Sequence, residues 1–169
     1  MAMPKPGDRI DPPLDAGERA ALQSWLDYHR ATLRWKVDGV TEEQLRAAPL
    51  PSPLMTLGGL LRHLTDVEGW WFSSVLAGEP DRGRWSDEDP DGEWRVAPTD
   101  TVASLLAEYD EECRRSREAS AGFALDDIAR APGQAMTLRW VLLHMIEETA
   151  RHNGHADLLR ELADGSTGE

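Results

Sequence analysis

The sequence predicts an all-α protein, a four-helix bundle with one long crossover loop. Four segments of about 20 to 27 residues repeat apolar residues at helical spacing, and the alternation of β-branched and polar residues that indicates strands is absent. The connection from Gly78 to Pro98 is much longer than the usual helix connection of about 2 to 8 residues. Helices of this length, joined by connections of varied length, typically pack as a bundle.

The first helical segment is predicted over residues 15–38. Asp15 at its start and Glu18 three residues later form an approximate capping box. Apolar residues then follow at helical spacing, among them Leu22, Trp25, Leu26, Leu33 and Val37. Gly39 is expected to end the segment, because glycine is common just past a helix C-terminus.

The second segment is predicted over residues 56–77, with Thr56 at its start and Gly78 at its end. Gly58 and Gly59 lie inside this segment. Because they lack side chains, they allow another backbone to approach closely. We expect the approaching partner to be a neighbouring helix or a second subunit.

The third segment is predicted over residues 99–121 and the fourth over residues 137–163, with Gly165 just beyond. The outer face of the third segment is strongly charged, as is typical of a helix face exposed to water. The long loop before it, residues 78–98, is expected to be either disordered or a lid over a site.

The bundle is expected to form a single domain over residues 15–165. A chain of 169 residues fits one domain with a core of its own. The first residues include two prolines and no apolar run, so residues 1–14 are predicted to be a flexible arm. Residues 166–169 are predicted to be a C-terminal tail.

Composition argues against several classes of protein. The formal net charge is -13 and the arginines are scattered among acids, so nucleic-acid binding is not expected. No run of about 18 apolar residues is free of charge, so no membrane span is expected. The single Cys113 has no partner for an internal disulfide, which favours a cytoplasmic location.

The stretch HMIEETARHNGHADLLRE, which begins at His144, carries three histidines and three glutamates on one predicted helix. At about 100° per residue, Glu148, His152 and His155 fall on the apolar side. Asn153 turns away and is expected to face water. A glutamate on a core face is costly unless it is paired or bound to a metal.

Glu148 and His152 are four residues apart, so both side chains can reach one cation. The best third ligand is His63, in LLRHLTDVEGWW of the second segment. Two imidazoles and a carboxylate form a donor set of catalytic zinc and non-haem iron sites, which keep a coordination position open. Spacing alone also allows His144 with Glu148, His152 with His155, or a buried hydrogen-bonded network without metal.

The segments GLLRHLTDVEGWW and LRWVLLHMIEETARHNGHADLLREL resemble the DinB-like superfamily of four-helix bundles. The resemblance is to the branch related to the N-terminal domain of mycothiol-dependent maleylpyruvate isomerases, and it covers essentially the whole chain. It implies a divalent metal, zinc before nickel or iron, held by His63, Glu148 and His152. Maleylpyruvate isomerisation itself is not expected, because those isomerases look to have two domains, whereas this chain is predicted to have one.

The resemblance implies a metal-dependent transferase or thiol-handling enzyme that uses a low-molecular-weight thiol such as mycothiol. A thiol bound to a divalent cation is deprotonated, which produces a nucleophile at neutral pH. Water in the same position would support hydrolysis instead. The alternatives are therefore a metal-dependent hydrolase and a non-catalytic bundle that binds a metal or ligand.

Three further residues are candidates for roles near the centre. His155 is expected to be the catalytic proton carrier or a partner of a ligand, because its free pKa is near 6.5, about the value for any histidine. Arg62 and Arg151 are expected to bind a carboxylated thiol, since arginine suits carboxylates. Trp85 and Trp94 in the long loop are expected either to pin that loop across the bundle or to contribute to a homodimer surface.

Overall fold

The structure, a computed structural model, describes residues 9–168. Within that range there is no β-strand, and an isolated antiparallel bridge joins Ile128 to Thr137. The all-α prediction is confirmed, and four of the helices are long enough to form the bundle. The described α-helices are α1 Glu18–Val37, α2 Glu42–Arg46, α3 Leu57–Glu68, α4 Val102–Ala121 and α5 Leu138–Asp164.

Most helix ends lie where the sequence predicts them. The threonines before α2, α3, α4 and α5 each accept a backbone hydrogen bond at the N-terminus of their helix. After α5, Gly165 has a φ of 73°, a left-handed conformation that glycine adopts without steric cost.

The predicted capping box at Asp15 is wrong. The N-cap of α1 is Gly17, and it makes no side-chain cap hydrogen bond. Glu18 is therefore the first helical residue and cannot reach back to an N-cap at Asp15. Its carboxylate forms an ion pair with Arg139 at the start of α5 instead.

The second predicted helix changes its winding part-way along. It is an α-helix only to Glu68 and continues as a wider π-helix, Gly69–Leu76. The change follows a buried ion pair, in which Arg30 of α1 reaches Glu68 with Nε–Oε1 and Nη2–Oε2 distances of 2.7 and 2.6 Å. The π-helix buries five consecutive residues, 72–76, and an α-helical period of about 3.6 residues does not predict such a run.

The core has two clusters, and the Arg30–Glu68 pair lies between them along α1 and α3. One cluster joins the ends of α1 and α5 to the starts of α3 and α4, and includes Leu33, Leu60, Leu64, Leu105 and Leu159. The other joins the π-helix to the starts of α1 and α5, and includes Leu26, Phe72, Leu138, Val141 and Met145. Removing one partner of a buried pair of this kind costs about 3–5 kcal/mol.

The long loop, residues 78–98, is anchored near both of its ends. The backbone N–H of Arg84 donates to Asp66 of α3 at 2.7 Å, and the Arg84 guanidinium pairs with Asp66 and with Glu108 of α4. Just after the loop, Asp100 pairs with Arg62 of α3 at 2.5 Å. A short 3₁₀ turn, Gly92–Trp94, lies between these anchors.

The glycine pair of α3 receives this loop. A Cβ added at Gly59 would lie 2.9 Å from the carbonyl oxygen of Trp94 and 2.5 Å from that of Leu54. At Gly58 it would lie 2.7 Å from Val96 Cγ2. A Cβ at Gly58 would also lie 3.2 Å from the backbone oxygen of Leu45 in α2, so the expected approach of a neighbouring helix is confirmed there, beside that of the loops. Contact with a second subunit stays a prediction.

Both ends of the described range contact α1. Residues 1–8 of the predicted arm lie outside the described residues, but Arg9 is buried and its Nε donates to Thr32 at 2.9 Å. At the other end, Gly168 lies against Trp35 and Lys36. None of the described helices is long and apolar enough to cross a membrane.

Candidate metal centre

Helices α3 and α5 bring His63, Glu148 and His152 together. His63 Nε2 lies 3.3 Å from Glu148 Oε1, and His152 Nε2 lies 3.1 Å from the same oxygen. One donor atom from each residue lies within 4.8 Å of the others, and all three side chains are buried. Of the ligand sets that spacing allows, this is the one whose donor atoms converge.

The helical register explains the convergence. Glu148 and His152 are one turn apart on α5, on the stripe that includes the fully buried Met145 and Ala156. His63 lies in α3 between Leu61 and Leu64, which are also fully buried. The packing of these apolar residues places the polar groups inside the bundle.

The carboxylate of Glu148 contacts both imidazoles. Hydrogen bonds from His152 and then His63, with a smaller contribution from Arg151, hold the pKa of Glu148 well below its ordinary value despite burial. Each contact to Oε1 requires a proton on the facing Nε2, because two lone pairs would repel. A divalent cation between these atoms would replace both protons, so the donor set and its burial fit a metal.

The other nitrogen of His63 faces the long loop. His63 Nδ1 lies 3.0 Å from Glu93 Oε1, and the Trp94 ring stacks on the imidazole with a centroid distance of 4.1 Å. Burial lowers the pKa of His63, but hydrogen bonds to Glu148 and Glu93 outweigh it and raise the pKa above its ordinary value.

Sequence reasoning missed Glu93. The loop that carries it is irregular, so no periodicity relates Glu93 to His63 thirty residues earlier. The available signals were the length of the loop and an acid beside a tryptophan in DGEW. Trp94 does pin the loop to the bundle, whereas Trp85 is 53% exposed.

His155 lies beside the centre, and it contacts His152, one of the three candidate ligands. Its Nδ1 is 3.2 Å from His152 Nδ1, so one of the two rings donates and the other accepts. Burial, and then the positive charges of His152 and Arg151, lower the pKa of His155. A neutral His155 can therefore accept the Nδ1 proton of His152 and leave the Nε2 of His152 free for a metal.

His144, which spacing alone could also pair with Glu148, takes part in a different cluster. Its ring stacks on Trp140 at 5.1 Å and meets Trp71 edge-on at 4.6 Å. Its Nδ1 lies 4.0 Å from a carboxylate oxygen of Glu147, on the same helix. The structure therefore does not bring His144 to the centre.

A model of the family described as mycothiol S-transferase matches residues 21–165. The chain belongs to this family. The match spans most of α1, all the later helices and every residue of the centre, and it agrees with the DinB-like resemblance of the two motifs. A search of curated proteins returns no match to the chain.

The two arginines expected to bind a carboxylated thiol lie in different surroundings. Arg151 bonds Glu148 Oε2, and its side chain is 56% exposed at the edge of the centre. Arg62 is buried and pairs with Asp100, away from the ligands. Their role in binding a thiol stays a prediction.

One expectation about α5 is wrong. Asn153 is buried, and its Nδ2 donates to the backbone oxygen of His29 at 3.0 Å. The helical wheel placed it toward water because it treated α5 as packed on one side. Helix α1 lies along a second side of α5 and buries that position as well.

Cavity size does not identify the functional site of this family member. A cavity of about 590 Å³ lies between α1, α4 and the segment before α1, and its lining includes Arg34, Tyr109 and Asp110. None of the three candidate ligands lines it. The donor set between α3 and α5 is the stronger indication of a functional site, because ionisable groups are rarely buried together except at functional sites or in paired networks.

Proposed function

We propose that the protein is a metal-dependent transferase that moves a low-molecular-weight thiol, of which mycothiol is the first candidate, onto an electrophilic acceptor. Membership of the mycothiol S-transferase family supports the class of reaction. The observation that carries the proposal is the approach of His63, Glu148 and His152 donor atoms to within 4.8 Å. Family membership without such a site would be a weak warrant for a reaction.

His63 and His152 would offer Nε2 and Glu148 would offer Oε1 to the metal. A divalent cation held there, zinc before nickel or iron, would deprotonate a bound thiol at neutral pH. In the transfer, a bond forms between the thiol sulfur and a carbon of the acceptor, and the leaving group departs with the electron pair of the broken bond. The thiol proton passes to a base.

We assign the handling of that proton to His155. Burial and neighbouring positive charge lower its pKa, so the ring is neutral near pH 7 and can accept a proton. Its contact with His152 also holds the ligand ring in orientation. His155 would thus act beside the metal without ligating it.

Arg151 is the better of the two candidates for binding a carboxylate of the thiol. It is more than half exposed and already contacts Glu148, so a substrate at the centre can reach it. For Arg62 to take this role it would have to leave Asp100. A cytoplasmic location and a homodimer remain predictions from the sequence.

The proposal is tested by the rate at which zinc-loaded protein conjugates mycothiol to a fluorogenic alkyl bromide. Glu147 and Glu148 are adjacent, but the side chain of Glu147 is 59% exposed and that of Glu148 is 11% exposed. We expect Glu148→Gln and the zinc-stripped protein to fall to the uncatalysed rate. The matched control Glu147→Gln should keep the wild-type rate.

Parallel assays with mycothiol, bacillithiol and glutathione identify the preferred thiol. The absence of acceleration with all three overturns the proposal. Zinc-dependent cleavage of an ester, lost in Glu148→Gln, would then favour a hydrolase. Tight zinc binding without either reaction would favour a non-catalytic binding protein.

A further inference from the structure

We propose that Glu93 is a positioning residue for His63, which makes the long loop a working part of the metal centre. The two ring nitrogens of His63 face different carboxylates: Nε2 lies 3.3 Å from Glu148 Oε1, and Nδ1 lies 3.0 Å from Glu93 Oε1. This inference rests on the proposed function, because it takes His63 as a ligand.

The contact to Glu93 selects one tautomer of His63. A neutral imidazole carries its proton on one nitrogen and a lone pair on the other. With a cation in place of the Nε2 proton, the one remaining ring proton would lie on Nδ1 and donate to Glu93, and the Nε2 lone pair would face the centre. A carboxylate on the outer nitrogen also raises the basicity of the ligating nitrogen, and it fixes the direction of the ring.

Trp94, the next residue, holds the same ring in place. Its plane is within 12° of the imidazole plane. The Trp94 backbone is in turn seated on Gly59, one turn before His63 on α3. Two consecutive loop residues therefore fix the tautomer and the orientation of one ligand.

The geometry indicates that Glu93 positions His63 and does not itself bind the metal. Glu93 contacts the edge of the imidazole that points away from Glu148, so it lies outside the group of three converging donors. Its side chain is 19% exposed, which limits competition from water for the His63 proton. The anchors at Arg84 and Asp100 hold the loop on both sides of Glu93.

The inference predicts that metal affinity depends on a residue that does not touch the metal. Loss of a hydrogen-bonding partner of a metal ligand typically weakens binding about 10- to 100-fold. We expect Glu93→Ala to weaken zinc binding by that factor, measured by competition with a chromophoric chelator. Glu93→Gln should be intermediate, because its amide oxygen can still accept the Nδ1 proton.

The matched control is Glu88→Gln, which makes the same change of charge in the same loop at an exposed position. Its zinc affinity should equal that of wild type. A second readout is the imidazole N–H proton of His63 in NMR spectra of the zinc-loaded protein. It should be protected from exchange in wild type and Glu88→Gln, and lost in Glu93→Ala.

Wild-type affinity and a protected His63 proton in Glu93→Ala would overturn the inference and leave the proposed function standing. Failure of the wild-type protein to bind zinc would overturn both. If Glu93→Ala does not fold, Glu93→Gln decides in the same way: an affinity equal to that of Glu88→Gln contradicts the role of Glu93.

Discussion

A single carboxylate oxygen is the meeting point of the centre. Glu148 Oε1 faces both His63 and His152, and the second oxygen of Glu148 is bound by Arg151. Each histidine has a further partner on its Nδ1, Glu93 in one case and His155 in the other. Both rings are therefore oriented by the protein before a metal binds, which lowers the entropic cost of binding.

Single replacement of His63, Glu148 or His152 by alanine should lower metal occupancy more than about tenfold, because a ligand is lost outright. Elemental analysis after purification without chelator measures this occupancy. The controls are His144→Ala and His29→Ala, which remove histidines outside the group of three and should leave it full. Full occupancy in all three ligand variants would refute the assignment.

At the residue scale, helical periodicity could predict the candidate ligands that share one helix, but it could not predict the loop residue that contacts His63. Glu148 and His152 follow from a spacing of four on one helix. His63 was the best third candidate in the second segment, and the family resemblance implied the same set. Glu93 lies in a loop whose path depends on Arg84, Asp100 and a glycine pair. Each of these contacts joins residues that are distant in sequence, so no local sequence pattern predicts them.

At the scale of elements, the first turn of α3 supports the long loop. Because Gly58 and Gly59 have no side chains, backbone and side-chain atoms of the loops approach α3 closely at these two positions. That approach places Glu93 and Trp94 one turn further along, against His63. The loop packs against His63 through Glu93 and Trp94, and the expectation that it covers a functional site stays a prediction.

Two glycine substitutions distinguish the support of the long loop by Gly59 from the general effect of glycine on helix stability. A Cβ at Gly59 would clash with two carbonyl oxygens, so Gly59→Ala should lose about 1–3 kcal/mol of unfolding free energy and weaken metal binding. Gly154 in α5 has open space around the same position, and Gly154→Ala should gain about 0.5–1 kcal/mol. Urea denaturation measures both. An equal gain in both variants would show that the loop does not press on α3.

For the whole molecule, the centre links stability to pH. In the metal-free protein the pKa of His63 is raised above about 6.5. That shift contributes stability that is present below about pH 6.5 and is lost as pH rises through the raised pKa. A metal displaces the Nε2 proton, so metal binding strengthens over the same range.

The melting temperature of the zinc-bound protein should therefore exceed that of the metal-free protein by a margin that widens from about pH 6 to about pH 8. The pKa of His29, lowered by burial and by Arg9, lies outside the centre and affects both forms alike. Paired melting curves across this range give the margin. A margin that stays constant with pH would indicate a hydrogen-bonded network in place of a metal site.

Cys113 lies in α4 beside the buried Arg30–Glu68 pair and is 3% exposed. Burial, and next the charge of Glu68, raise its pKa far above the ordinary value, so its thiolate is essentially unpopulated at neutral pH. It is the only cysteine in the chain. If the proposed thiol transfer is the reaction, its electrophilic acceptors would also alkylate a reactive cysteine, and the burial that keeps the Cys113 sulfhydryl protonated protects the protein from that self-inactivation.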